Sequence, residues 1–156
     1  MKALDPIDLR LLIELQANAR ISNVSLAEKV NLSPSACLAR VRTLESSGVI
    51  NRYVTLLDPA SVGLGISVFI HITLERQTEN ELSAFEAAMR ENPDVMECYL
   101  MTGDSDYLVR VVVPDLPALE RFIVARLSKT AGVANIRSSF TLKQVKYQTA
   151  LPLGRD

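Results

Sequence analysis

The chain has 156 residues, 48% of them hydrophobic, and a formal net charge of −1 from mixed acidic and basic residues. This composition excludes a disordered protein, and no apolar run approaches the ~20 residues that cross a bilayer. Because the N-terminus has no apolar signal-peptide core, we expect a cytoplasmic protein without a membrane partner, built from one domain or two small ones.

The first predicted helix begins after Asp5. Asp5 serves as its N-cap, Pro6 occupies the first helical position, and Asp8 lies in the first turn, where the helix dipole favours a negative charge. Leu9 and Leu12 continue an apolar face. We therefore predict a helix that runs to about Ala17.

Residues 25–50 contain two further helix starts close together. Ser25–Glu28 fits a capping box, Asn31 turns the chain, and Ser33-Pro34 begins another helix, which Gly48 ends. Two short helices joined by a tight turn indicate a helix-turn-helix, whose second helix normally enters the DNA major groove.

The second of these helices has two different faces. Helical spacing places Cys37, Val41 and Leu44 on one side as a buried seam. The opposite side is small, polar or basic, which suits contact with bases and phosphates, although an ordinary solvated face would look the same. Its residues are Ser35, Ala36, Ala39, Arg42, Thr43 and Ser46, with Arg40 on the flank.

A wing strand is predicted directly after this helix. Residues 51–57 are rich in β-forming residues, and Arg52 is either a phosphate contact or a solvated strand residue. Asp58-Pro59 and two nearby glycines then mark a joint near Ala60. We expect a DNA-binding domain over residues 1–60 and a second domain over residues 61–156.

The second domain alternates between strand and helix patterns. Their order, β-α-β-β-α-β, predicts an α+β protein with a C-terminal ferredoxin-like domain. The predicted elements are a strand Ile66–Leu74, a helix from Thr78 to Asn92, strands Val95–Thr102 and Tyr107–Val113 around a turn at 103–106, a helix from Asp115 to Gly132, a strand from Val133 to about Lys143, and an extended tail Tyr147–Leu153.

Such a sheet carries helices on one face only. The other face includes Phe69 and His71, and we expect a second copy of the sheet to cover it.

The predicted DNA-binding domain carries little positive charge: residues 1–53 contain seven basic and five acidic residues, a net charge of +2. A head with so little positive charge binds DNA weakly alone, which also favours a dimer or larger assembly.

Catalytic and metal chemistry have little support. His71 is the only histidine, and Cys37 and Cys98 lack CxxC or other metal-ligand spacing. We expect both cysteines to be small buried side chains, with a redox role as the alternative. An enzyme using Asp104 and Asp106 as an acid–base or metal pair is also considered. We expect no enzyme, no catalytic residue, no metal and no cofactor.

Four stretches in order, residues 4–22, 25–50, 103–122 and 138–147, resemble the leucine-responsive regulatory protein (Lrp)/AsnC family of transcriptional regulators. The resemblance covers nearly the whole chain, and the segment GDSDY at 103–107 matches its signature. It implies a winged helix-turn-helix, an effector domain that forms dimers and often octamers, and double-stranded DNA as partner. It also maps the recognition-helix positions onto residues Ser33 to Thr43.

The same resemblance implies an amino-acid effector bound between dimers. It places the site near the effector loop, residues 101–107, and near a strand segment corresponding to Ser138 and Ser139. The loop residues concerned are Met101, Thr102, Gly103, Asp104, Asp106 and Tyr107.

A free amino acid could fit this loop chemically. Asp104 and Asp106 would take its ammonium group, and backbone amides around Gly103 its carboxylate; a simple Gly-Asp hairpin turn is the alternative. We therefore expect a sequence-specific regulator of amino-acid metabolism, with a ligand-independent architectural DNA-binding protein as the other possibility.

Overall fold

The computed structural model describes residues 4–154, which form two compact units. One comprises the chain up to Leu56 together with the segment from Val145 onward, and the other is Leu57–Gln144. Across the 4–154 range, no helix is long and apolar enough to span a membrane.

The first unit contains helices α1 (Pro6–Ala17), α2 (Asn23–Val30) and α3 (Pro34–Ser46). The start of α1 is confirmed. The Asp5 side chain accepts from the Asp8 amide at 2.8 Å, and the Asp8 carboxylate accepts from the Asp5 amide at 3.3 Å, which completes a capping box.

The predicted start of α2 is wrong by one turn. Its N-cap is Ser22, whose hydroxyl accepts from the Ser25 amide at 3.1 Å, so Ser25 lies inside the helix. The earlier start adds a backbone hydrogen bond from the Leu26 amide to the Ser22 carbonyl. It also lets the Asn23 side chain donate to the carbonyl of Pro34, at 2.8 Å, which fixes α2 to the start of α3.

The turn and the boundaries of α3 are confirmed. Asn31 adopts the left-handed conformation at φ 57°, Ser33 caps α3 with Pro34 at its first position, and Gly48 has φ 77°. The three helices enclose a small apolar core, formed by Leu11, Leu12, Leu26, Ala27, Val30, Cys37 and Leu44.

The wing strand predicted over residues 51–57 is not formed. Residues 51–58 carry no regular secondary structure, and no strand within residues 4–154 pairs with them. A strand needs a hydrogen-bonded neighbour, which β-forming composition alone does not supply.

The second unit has the predicted ferredoxin-like order. Its antiparallel sheet runs β2-β3-β1-β4, and two helical segments connect the strands. The elements are β1 (Ile66–Leu74), α4 (Glu79–Glu91), β2 (Val95–Leu100), β3 (Tyr107–Val113), α5 (Leu116–Arg121) and β4 (Val133–Phe140). Both β2 and β4 end earlier than predicted, and α5 continues through a π-helical turn, Phe122–Arg126, and a 3-10 turn, Leu127–Lys129.

The helices cover one face of the sheet, as predicted. Along β1, Val68, Ile70, Ile72 and Leu74 are buried, and the residues between them are half-buried. Phe85 and Met89 of α4 and Leu119, Phe122 and Leu127 of the α5 region complete the core. The side of the sheet that carries Ser67, Phe69, His71 and Arg110 is called here the uncovered face.

The C-terminal tail belongs to the first unit, whereas the predicted domains placed all of residues 61–156 in the second. The Gln16 side chain donates to the Leu151 carbonyl at 3.2 Å and accepts from the Leu151 amide at 2.6 Å. Leu153 packs against the helical core. These contacts join residues 135 positions apart, which local sequence patterns do not reveal.

Candidate nucleic-acid interface and effector loop

The outer side of α3 forms an exposed face, and its inner side is anchored in the core by Cys37 and Leu44. Burial also raises the pKa of the Cys37 thiol above its ordinary value. The exposed face matches the prediction from helical spacing. Its exposed residues are Ser35, Ala36, Ala39, Arg42, Thr43 and Ser46.

Arg40 is held by the first helix. Its Nη1 lies 2.6 Å from Asp5 Oδ2 and 2.7 Å from Asp8 Oδ1. The pKa of Asp5 lies below its ordinary value because the Asp8 amide donates to it and Arg40 lies beside it. The two carboxylates in turn raise the pKa of Arg40. Arg40 was predicted on the flank of the DNA-binding face, and its guanidinium joins α3 to the α1 cap.

Two further predicted residues use their hydroxyl groups within α3. Ser33 Oγ accepts from the Ala36 amide at 3.3 Å, and Thr43 Oγ1 donates to the Ala39 carbonyl at 2.9 Å. Within residues 4–154, neither Arg42 nor Arg52 forms an ion pair, and both are exposed. Among the predicted DNA-binding residues, Arg42 and Arg52 are therefore the arginines whose charge is not paired with a carboxylate of the described residues.

Sequence patterns did not single out Asn23, although it positions α3. Its amide bridges from the first position of α2 to the Pro34 carbonyl. The apolar spacing of α2 carries no signal for this contact, because the bond joins two helix starts 11 residues apart. The one available hint was that an asparagine at a helix start often uses its side-chain amide in a hydrogen bond to nearby backbone.

The effector loop closes the β2–β3 hairpin and is tied to β1. The Met101 amide donates to the Asp106 carbonyl at 2.8 Å, and the Asp106 amide donates to the Ile72 carbonyl at 2.9 Å. Gly103 has φ 118°, a conformation that other residues rarely adopt. Thr102 and Asp104 are exposed at the tip. Backbone hydrogen bonds thus hold the two ends of the loop, and its tip carries an exposed carboxylate.

The two predicted aspartates differ. Asp106 Oδ2 accepts from the Leu74 amide at 2.7 Å and from the Gln77 side chain at 3.3 Å, so this oxygen stabilises the end of β1. The Asp104 side chain forms no hydrogen bond within residues 4–154. Of the two aspartates, only Asp106 has hydrogen-bond partners among the residues that the structure describes.

Tyr107 points toward the helices. It is 1% exposed, its ring lies 4.5 Å from that of Phe85, and its hydroxyl donates to Glu86 Oε1 at 3.1 Å. Burial, followed by the bond to Glu86, raises the pKa of Tyr107 to about 12.

A cavity of about 380 Å³ between α4 and β2 is lined by residues that include Tyr107 and the exposed Cys98. Cys98 was expected to be buried. Its pKa is nevertheless raised, first by partial desolvation.

Ser138 and Ser139 are not brought together with the loop in one chain. In β4 they pair with Ile70 and Phe69 of β1, so they lie on opposite faces of the sheet. The strand β1 separates β4 from the β2–β3 hairpin, a spacing of roughly 10 Å for two strand intervals.

The uncovered face is partly polar. Arg110 Nη1 lies 2.8 Å from Glu97 Oε1, and Arg110 Nε donates to Ser67 Oγ at 3.3 Å. His71 Nδ1 lies 3.2 Å from Ser105 Oγ. Residues 4–154 contain no cluster of three or more His, Cys, Asp or Glu side chains that could hold a metal ion.

Comparison with known protein families covers both units. Residues 67–151 match the family described as the Lrp/AsnC ligand binding domain, and residues 4–51 match one described as winged helix-turn-helix DNA-binding.

Individual relatives align over nearly their full lengths. The Bkd operon transcriptional regulator of Pseudomonas aeruginosa is 44% identical over 98% of this chain and 100% of its own. The leucine-responsive regulatory protein of Salmonella typhimurium is 40% identical over 96% and 92%. A transcriptional regulator of Neisseria meningitidis, solved as an L-Met complex, is 40% identical, with a TM-score of 0.92 over 97% and 98% of the two chains.

Proposed function

The chain belongs to the Lrp/AsnC family of transcriptional regulators, and from this premise we propose the finer features of its activity. It acts in the cytoplasm as a sequence-specific regulator of amino-acid metabolism. A small effector, an amino acid, changes its assembly or its affinity for DNA. The observation that carries the DNA part is the exposed outer face of α3, where Arg42 has no carboxylate partner within residues 4–154.

In this proposal α3 enters the major groove through its small residues. Ala36 and Ala39 allow close approach, Ser35 supplies a hydrogen-bonding group, and Arg42 contacts a base edge or a phosphate. Arg52 contacts phosphate beside the groove.

The test begins with selection of bound duplexes from a random DNA pool by the purified protein. On an enriched duplex, Arg42→Ala should weaken binding about five- to hundredfold if Arg42 contacts a base. If it contacts phosphate, the loss should be similar on all duplexes, and the slope of log K against log salt should fall by about one per contact. Arg121→Ala, which removes an exposed arginine of the second unit, is the control. Unchanged affinity and slope for Arg42→Ala would contradict this role.

For the effector, we propose an amino acid whose ammonium group meets Asp104 and whose carboxylate meets the amides near Gly103. The names of the relatives put leucine and methionine first in the panel. A thermal-shift screen against single free amino acids should find at least one hit. A ligand at a hundredfold its dissociation constant adds about 2.7 kcal/mol to the free energy of unfolding. Asp104→Asn should abolish the shift; a shift that persists would move the site away from the loop.

For the assembly, we propose that two copies pair through their uncovered faces and that dimers join into an octamer. Pairs of copies would also supply a site in which the effector loop of one chain meets Ser138 and Ser139 of another. Analytical ultracentrifugation at micromolar concentration should give dimers or larger species. A monomer would contradict the pairing.

An architectural, ligand-independent DNA-binding protein is the second candidate. It is favoured by the pairing of Arg40 with Asp5 and Asp8, which leaves α3 with few groups that read base edges. Footprinting on long DNA separates the two. Protection limited to one or two regions supports regulation, and uniform protection across unrelated DNA supports compaction.

A further inference from the structure

His71 reaches from the uncovered face to the effector loop. It lies in the middle of β1, between Leu108 of β3 and Arg137 of β4 in the sheet register. Alternation along β1 places it on the uncovered face, where it is half-buried. Its Nδ1 lies 3.2 Å from the hydroxyl of Ser105, a loop residue 34 positions later.

The rest of the loop is held to β1 by other means. The backbone bond from Asp106 to Ile72 and the Asp106 carboxylate on the Leu74 amide both act at the end of the strand. Neither of these bonds involves a side chain of the uncovered face. Within residues 4–154, the His71–Ser105 contact is the side-chain hydrogen bond that joins this face to the loop.

The His71 imidazole and the Ser105 hydroxyl can form a hydrogen bond in more than one protonation and tautomeric state. A serine hydroxyl can donate or accept, and imidazole Nδ1 accepts in one tautomer and donates in the other or when protonated. The contact can therefore persist when a ligand or a second copy changes the surroundings of the ring.

We propose that His71 is a positioning residue that couples the effector loop to the uncovered face. The contact makes pairing of the sheet with a second copy depend on the loop conformation that Ser105 sets. By linkage, an effector that changes the loop then changes pairing by the same factor as pairing changes effector affinity. This inference rests on the pairing and the effector loop of the proposed function.

The test compares Ser105→Ala, His71→Ala and the double variant, with Ser128→Ala as the control. Ser128 is an exposed serine of the same unit with no side-chain hydrogen bond in the 4–154 range. Ser105→Ala should weaken the dimer about two- to tenfold in sedimentation, as expected for one hydrogen bond. The double variant should then be no weaker than His71→Ala, and His71→Gln should recover part of the loss. Ser128→Ala should change nothing.

A spectroscopic readout accompanies the assembly measurement. Because the chain has one histidine, the imidazole ¹⁵N resonances report on His71 alone. They should shift in Ser105→Ala and not in Ser128→Ala. A dimer that Ser105→Ala leaves unchanged, or losses that multiply in the double variant, would overturn the coupling alone. An unaltered protein that stays monomeric would overturn the proposed pairing and the coupling with it.

Discussion

Arg40 and Arg42 lie two positions apart on one helix and have different partners. Arg40 bridges Asp5 and Asp8, whereas Arg42 is exposed without a carboxylate partner in the 4–154 range. Arg40→Ala should therefore lower the melting temperature of the first unit, and Arg42→Ala should leave it nearly unchanged. Calorimetry of the two variants without DNA measures this. Equal melting temperatures for both would mean that the Arg40 ion pairs do not stabilise the helix contact.

A second prediction at this scale concerns the Tyr107 hydroxyl. Its bond to Glu86 should make Tyr107→Phe less stable by about 1 kcal/mol near neutral pH. The pKa of Tyr107 is raised in the folded protein, to about 12 from an ordinary value of 10. Its contribution to stability is thus complete below pH 10 and is lost as the pH rises through about 12.

Urea unfolding between pH 7 and 12 checks both parts of the Tyr107 prediction. The variant should lose less stability with rising pH than the unaltered protein. Some loss remains, because burial and a bond to Glu45 also raise the pKa of Tyr53 to about 12. Tyr147→Phe, at an exposed tyrosine of the tail, is the control. Parallel pH curves for Tyr107→Phe and the unaltered protein would rule out a shifted Tyr107.

At the scale of elements, the start of α2 gives a direct comparison of two serines. Ser22 caps the helix through the Ser25 amide, whereas the Ser25 hydroxyl only accepts from the Ser22 hydroxyl. Ser22→Ala should lower the free energy of unfolding by about 1 kcal/mol, and Ser25→Ala by less than about 0.5 kcal/mol. Urea unfolding of the two variants measures this. The reverse order would restore the capping box at Ser25–Glu28.

These elements also show how far the sequence predicts the fold. Alternation along β1 and the cap at Ser33 are local patterns, and the structure has both as predicted. The start of α2 was missed because Ser22 and Ser25 stand one turn apart and both fit a cap. The prediction of a strand over 51–57 was wrong because a strand also needs a pairing partner. Local sequence shows the β-forming composition but not that partner.

The candidate site was less predictable than the fold. Helical spacing identified the exposed face of α3 but not the partners of Arg40, which lie 32 and 35 positions earlier. The Gly-Asp pattern predicted the turn, and only the family resemblance made it a candidate site; neither could separate the exposed Asp104 from Asp106, whose partner is the Leu74 amide on another strand. Such assignments depend on contacts distant in sequence.

At the scale of the whole molecule, the tail gives the chain a second covalent link between its units. The chain passes from the first unit to the second after Leu56 and returns at Val145. The returning segment is held by the paired hydrogen bonds between Gln16 and Leu151 and by Leu153 in the helical core. The helical unit, whose core is small, should therefore depend on residues that follow the ferredoxin-like fold.

A matched pair of leucine variants tests this dependence. Leu153→Ala removes a partly buried side chain from the helical core and should lower the free energy of unfolding of the first unit by about 1 kcal/mol or more. Leu142→Ala makes the same chemical change at a residue that is 98% exposed, and it should have little effect. Hydrogen exchange of α1 amides reports on the first unit alone. Faster exchange in Leu153→Ala, with exchange in β1 unchanged, is the expected result. Equal α1 exchange in the two variants would mean that the helical unit is stable without its tail.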